Sequence, residues 1–139
     1  MVAPLTPPSG MNNRRLDQLI REISSKVDGS EGQWRFEAFE ITMFCVTDEL
    51  HDRMRVMAPI LPVADLENGM LEMCMEANFD RALDARYCTS DGTVWGAYIH
   101  PLQCLTDTQF QSAVRQVAEV TRNFGSTFSS GQLEFRGLG

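Results

Sequence analysis

A chain of 139 residues that is 43% hydrophobic and 22% charged has the make-up of one globular domain, able on folding to bury about two-thirds of the surface its extended form exposes. Its formal net charge of −7, with no basic stripe interleaved with aromatics, repels phosphate backbones and excludes nucleic acid as an expected ligand. No apolar run approaches the ~20 residues that span a bilayer, and the N-terminus lacks the basic start and apolar stretch of a signal peptide, so a cytoplasmic chain without membrane contact is expected.

Segment 1–13, MVAPLTPPSGMNN, places three prolines in its first eight residues and reads as a disordered leader before a single domain over 14–139. From Arg14 to Val27, the spacing of Leu16, Leu19, Ile20, Ile23 and Val27 predicts a helix with one apolar side, stopped by Asp28-Gly29-Ser30. Trp34, Phe36 and Ala38 alternate with Arg35 and Glu37 and predict a strand; β-rich runs Ile41 to Thr47 and Arg53 to Leu61 predict two more. The polar link Asp48 to Asp52 suits a hairpin, and Pro59 and Pro62 are expected to end the third strand because proline cannot donate to a ladder.

Asp65 is placed to cap a second helix with Leu66, Met70, Met73, Cys74 and Ala77 on one face and Asn78 as its break. Ala82 to Thr89 and Val94 to His100, joined through Ser90-Asp91-Gly92-Thr93, read as a hairpin with an Asp-Gly turn, closed by Pro101. Thr106 and Gln109 have capping-box spacing. They start a third helix with a stripe of Phe110, Ala113, Val114, Val117, Ala118, Thr121 and Phe124 and a stop at Gly125. The tail from Ser126 adds a short extended segment through Leu133 and Phe135. The sum is an α+β fold in the order αβββαββα, a single antiparallel five-stranded sheet with three helices.

The last hairpin sets Leu83, Ala85, Tyr87 and Tyr98 on one face and Cys88, Trp95, Ala97 and Ile99 on the other. Three helices can hardly cover both faces of such a sheet, so part of one, including Trp95, is expected to lie under a partner or a second copy of the chain. Six of the eight methionines, Met43, Met54, Met57, Met70, Met73 and Met75, fall within 43–75, where their flexible side chains either fill the core or form an adaptable surface. Trp34, Phe36, Met70, Met73, Trp95 and Ile99 are the expected partner-binding residues, with an open strand edge adding main-chain hydrogen bonds.

No catalytic, cofactor or metal motif stands out. Cys45, Cys74, Cys88 and Cys104 are too irregularly spaced for a zinc ribbon and read as free, mostly buried thiols in a reducing compartment. Strand register puts Cys88 nearer Trp95 than His100, which separates that thiol from the histidine a nucleophile needs. Glu72 and Glu76 read as a solvated helix face, and Asp84 and Arg86, on the same face of their strand, as a pair that orients it. The chain is thus expected to be a non-enzymatic, homodimeric module that holds a segment of another protein. The alternative is a regulatory or sensory domain binding a small ligand beside the sheet.

The stretch NFDRALDARYCTSDGTVWGAYIHPLQCLTDTQF, Asn78 to Phe110, resembles the YbjN-type family, particularly its cyanobacterial branch, as does FGSTFSSGQLEF, Phe124 to Phe135. The upstream WRFEAFEITMF and RMRVMAPI are similar in pattern. The resemblance spans roughly Leu16 to Phe135 and implies a fold like that of the class I type III secretion chaperones, a curved antiparallel sheet flanked by three helices, often dimeric. It brings no catalytic motif.

Overall fold

The computed structural model describes residues 10–80 and 82–129, with side chains of the last helix through Phe124. The first helix, α1 (Asn13–Ile23), opens on Asn12, whose side chain accepts a hydrogen bond from the Arg15 N–H at 2.8 Å. Four strands follow: β1 (Lys26–Ser30), β2 (Gln33–Ala38), β3 (Ile41–Asp48) and β4 (Arg53–Pro62). A 3-10 turn (Val63–Asp65) leads to α2 (Met70–Asp80), then β5 (Arg86–Ser90), β6 (Thr93–Pro101) and α3 (Asp107–Ser129). All strands pair antiparallel in one six-stranded sheet ordered β1-β2-β3-β4-β6-β5.

The sheet therefore has six strands where the sequence predicts five, and the order is αββββαββα. The extra strand occupies the predicted end of the first helix. Ser24 is already extended (φ −99°, ψ 144°), and Val27 pairs with Phe36 on β2 while packing against the same core that a helical Val27 would have reached. The second helix begins at Met70 instead of Asp65, after a turn through Gly69 at φ 87°, and runs past Asn78 to Asp80. β4 continues past Pro59, but its ladder with β3 reaches only Met57, and its register with β6 shifts between Pro59 and Leu61. The prolines thus narrow the ladder to one side and leave the strand intact. α3 passes through Gly125 to Ser129.

Of the predicted leader, residues 1–9 lie outside the described residues. Met11 is buried, and its N–H donates to the Gln103 carbonyl at 3.1 Å, so an ordered chain begins before residue 14. The segment through Leu133 and Phe135 also lies outside the described residues.

Tight turns hold the hairpins. Asp91 (φ 55°) and Gly92 (φ 77°) form the two-residue link between β5 and β6, and Phe39 (φ 52°) and Glu40 (φ 65°) play the same part between β2 and β3. Two successive positive φ angles give a turn whose twist matches that of the strands it joins. At the start of α3, Thr106 Oγ1 accepts from the Gln109 N–H at 3.0 Å while Gln109 Oε1 accepts from the Thr106 N–H at 2.9 Å, the reciprocal pair expected of a capping box.

Helices α1 and α3 cover one face of the sheet. Leu16, Leu19 and Ile20 of α1 and Phe110, Val114 and Val117 of α3 meet Trp34, Phe36, Met43, Cys45, Met54 and Val56 from alternate strand positions. A smaller cluster joins Cys74 and Ala77 of α2 to Tyr87, Val94 and Phe124, with Leu66, Met70 and Met73 packed beside it. Gly96 lets α3 approach β6 closely, since a Cβ there would stand 2.7 Å from Val120 Cγ2 and 2.9 Å from Thr121 Oγ1.

Candidate protein-binding face

Side chains alternate across a strand, so the positions between the core residues build a second face. On β3 these are Phe44 and Val46, on β4 Arg53, Arg55, Met57 and Pro59, on β6 Trp95, Ala97 and Ile99, and on β5 Arg86 and Cys88. Among the described residues none of the helices lies on this side, where Phe44, Val46, Met57 and Trp95 are only half-buried and Ile99 is 53% exposed. Register sets them in rows: Phe44, Met57, Ala97 and Arg86 run across four strands, Val46, Arg55 and Ile99 across three, and Pro59, Trp95 and Cys88 across three. Phe44 and Trp95 meet edge to face, ring centroids 6.3 Å apart at 73°, and the Trp95 indole N–H donates to the Ser90 carbonyl at 3.3 Å. The result is a fixed apolar platform with arginines around it.

Both margins of the sheet are partly closed. On β5 the Asn78 side chain donates to the Tyr87 carbonyl at 2.9 Å and accepts from the Tyr87 N–H at 2.8 Å. On β1 the Arg21 guanidinium donates to the Gly29 carbonyl at 3.4 Å. Main-chain groups that an added strand needs are thus already bound, a device that discourages edge pairing. The face offers a broader surface than these partly occupied edges.

A second apolar patch lies on α2. Leu71, Met75 and Phe79, spaced by four residues, point away from the core and are 45%, 69% and 87% exposed. Leu71 and Met75 border a hollow of about 250 Å³, lined also by Glu72, Cys74, Tyr87, Cys88, Thr89 and Val94.

The six residues expected to bind a partner fall into three places. Trp34 and Phe36 are 2% exposed in the main core, on the helix-covered side of the sheet, where no partner can touch them. Trp34 is fixed further by its indole N–H, which donates to Asp17 Oδ1 at 3.0 Å. Met70 and Met73 pack half-buried into the second cluster. Trp95 and Ile99 stand together on the open face. The six expected residues leave out Phe44, Leu71 and Phe79, and also Met57 and Met75, which the sequence marks only as part of its methionine-rich segment. The i, i+4 spacing of Leu71, Met75 and Phe79 was visible, but the Leu66, Met70, Met73 stripe gave the same helical signal.

Two cysteines, Cys45 and Cys74, are buried, whereas Cys88 and Cys104 are exposed, so the thiols are free but not mostly buried. Burial pushes the Cys74 thiol up to about 11 and raises Cys45 further. Partial burial also holds Cys88 above its usual range, against the opposing pull of nearby Arg55. Cys88 faces Trp95 in register while His100 faces Met54, so the strand pairing sets this thiol apart from His100. Asp84 and Arg86 do not pair: the Asp84 N–H and carboxylate both meet Gln116, and Arg86 donates to the Asn78 carbonyl.

No protein-family model matches the chain, and no curated protein matches it in sequence. Solved structures do share its fold. A chain from the HopA1-SchA chaperone-effector complex superposes with a TM-score of 0.59 at 12% identity, over 78% of this chain and 88% of that one. A chain from the ExsC-ExsE complex gives 0.59 at 15% identity, over 80% of this chain and 92% of that one. The protein is an α+β fold of three helices and one antiparallel sheet, an architecture it shares with chains of these two complexes.

Proposed function

We propose that this protein is a non-enzymatic, chaperone-like module of the YbjN type that holds a segment of a partner protein against the open face of its sheet. The observation that carries the reading is the uncovered platform of Phe44, Met57, Trp95 and Ile99, built on central strands where apolar side chains are ordinarily enclosed. A rigid sheet that has already fixed its side chains loses little entropy on docking, and a half-buried tryptophan at the centre of such a patch has the character of an interface anchor. Fold likeness to a chain of a chaperone-effector complex supports the same reading.

In this proposal the module is a cytoplasmic homodimer, with the α2 patch as the contact between copies. Leu71 and Met75 line the hollow and Phe79 continues the exposed stripe, so a two-fold axis would seat the stripe of each copy against the hollow of the other. Two surfaces then divide two tasks, self-association on α2 and partner capture on the sheet.

The test is affinity capture from extract with the wild type and Trp95→Ala, alongside sedimentation of the wild type and Phe79→Glu. The proposal expects a protein retained by the wild type and lost with Trp95→Ala, and a dimer that Phe79→Glu converts to monomer. Equal capture by both forms overturns the assignment of the face. Stabilisation of the protein by a metabolite, with no protein captured, would favour a small-ligand domain instead.

A further inference from the structure

Four arginines of this acidic chain, Arg35, Arg53, Arg55 and Arg86, stand on the open face. None of them forms an ion pair with a described residue, whereas Arg15 and Arg21 elsewhere are paired with Asp107 and Asp17. Their surroundings differ along the sheet. Arg35 lies opposite Asp28 on β1 and near Glu37, so that end is close to neutral. Arg53 lies opposite Asp48, whose carboxylate is held by His51 at 2.8 Å. Arg55 has Val46 on one side and Ile99 on the other, and Arg86 has Ala97, with one of its N–H groups donating to the Asn78 carbonyl. Across β4, β6 and β5 the outward positions therefore carry three guanidinium groups, no carboxylate, and the apolar platform between them.

We propose that the segment this face takes is acidic and amphipathic, its carboxylates meeting Arg53, Arg55 and Arg86 while its apolar side chains cover Met57, Trp95 and Ile99. The inference rests on the protein-binding reading above and adds the chemistry of the partner. A guanidinium beside apolar groups is weakly hydrated and presents a planar fork that matches a carboxylate. Docking an apolar surface around it excludes water and strengthens the attraction, whereas a basic segment would bring like charges together in the same low-dielectric layer. Asn78 and Arg21 occupy part of each sheet margin, and a segment lying across the face is read by its side chains, which is where selectivity for charge arises.

The experiment uses two synthetic amphipathic peptides of identical leucine pattern, one with glutamate and one with lysine at the polar positions, titrated against the full chain by fluorescence anisotropy. The expected result is that the glutamate peptide binds at least about tenfold tighter, that the difference shrinks as salt rises, and that the Arg53→Glu, Arg55→Glu double variant reverses it. The salt series needs no variant, so misfolding of the double variant does not blunt the test. Equal binding of both peptides, lost with Trp95→Ala, would overturn the charge selectivity and leave apolar docking standing. Binding of neither peptide would overturn the protein-binding reading as well. A wild-type dimer dissolved by charge reversal would give the face to a second copy, and tighter binding of a single-stranded oligonucleotide through the same arginines would give it to nucleic acid; either result overturns the proposal.

Discussion

Asn78 of α2 binds both main-chain groups of Tyr87 on β5, its amide taking the place that a seventh strand would hold. The Tyr87 side chain is locked in turn, its hydroxyl donating to the Val120 carbonyl at 2.8 Å and its ring meeting Phe124 edge to face at 5.6 Å. Replacing Asn78 with Leu removes two hydrogen bonds and reopens the margin. Stability should fall by about 1–2 kcal/mol in a denaturant titration, and the variant should self-associate more than the wild type in sedimentation.

The contact between β6 and α3 makes an opposite pair of predictions. Gly96→Ala places a methyl group against Val120 and Thr121, which should cost about 1–3 kcal/mol through overpacking. Thr121→Val should raise stability by up to about 1 kcal/mol, because Thr121 Oγ1 is buried without a hydrogen-bond partner among the described residues and valine keeps the shape without the hydroxyl. Unfolding midpoints of the two variants, on either side of the wild type, check both.

The two tryptophans report on the two faces. Trp34 is 2% exposed with its indole bonded to Asp17, whereas Trp95 is half-buried on the open face. Iodide should quench only part of the emission, and Trp95→Phe should leave a blue-shifted signal that iodide barely affects. A glutamate-bearing peptide bound at the face should protect the quenchable fraction.

Asp17 gives stability a dependence on acid. Its carboxylate accepts from Arg21 at 3.0 Å and from the Trp34 indole, and these hydrogen bonds hold its pKa below the usual carboxylate value. A depressed folded-state pKa contributes stability above the unfolded value of about 3.9, and that contribution is lost as pH falls through the folded value. Denaturation midpoints should therefore drop in strong acid, and Asp17→Asn should drop less steeply over the same range.

What was legible in the sequence was local chemistry. The Thr106 and Gln109 pair and the Asp91-Gly92 turn are fixed by groups within three residues of one another, and the strand alternation separates Ala85, Tyr87 and Tyr98 from Cys88, Trp95 and Ile99. What was not legible depends on distant partners. Val27 satisfies a helical spacing, yet pairing with Phe36 makes it a strand residue, and Leu66 reaches the second cluster from non-helical backbone. Alternation also cannot say which face the helices cover. Trp34 and Trp95 look alike in their strands, and only the packing of α1 and α3 buries the first and leaves the second at the surface.

The strand order has a consequence for how the chain folds. β1 to β4 form a meander in which each partner is the next strand along, but β4 must find β6 across the intervening α2 and β5. Closing that longer loop costs entropy before any contact repays it. The meander is therefore the natural nucleus, with the last hairpin docking late. On this view Val94→Ala chiefly accelerates unfolding, whereas Met43→Ala chiefly slows refolding, and stopped-flow kinetics showing the reverse would assign the nucleus to the other half of the sheet.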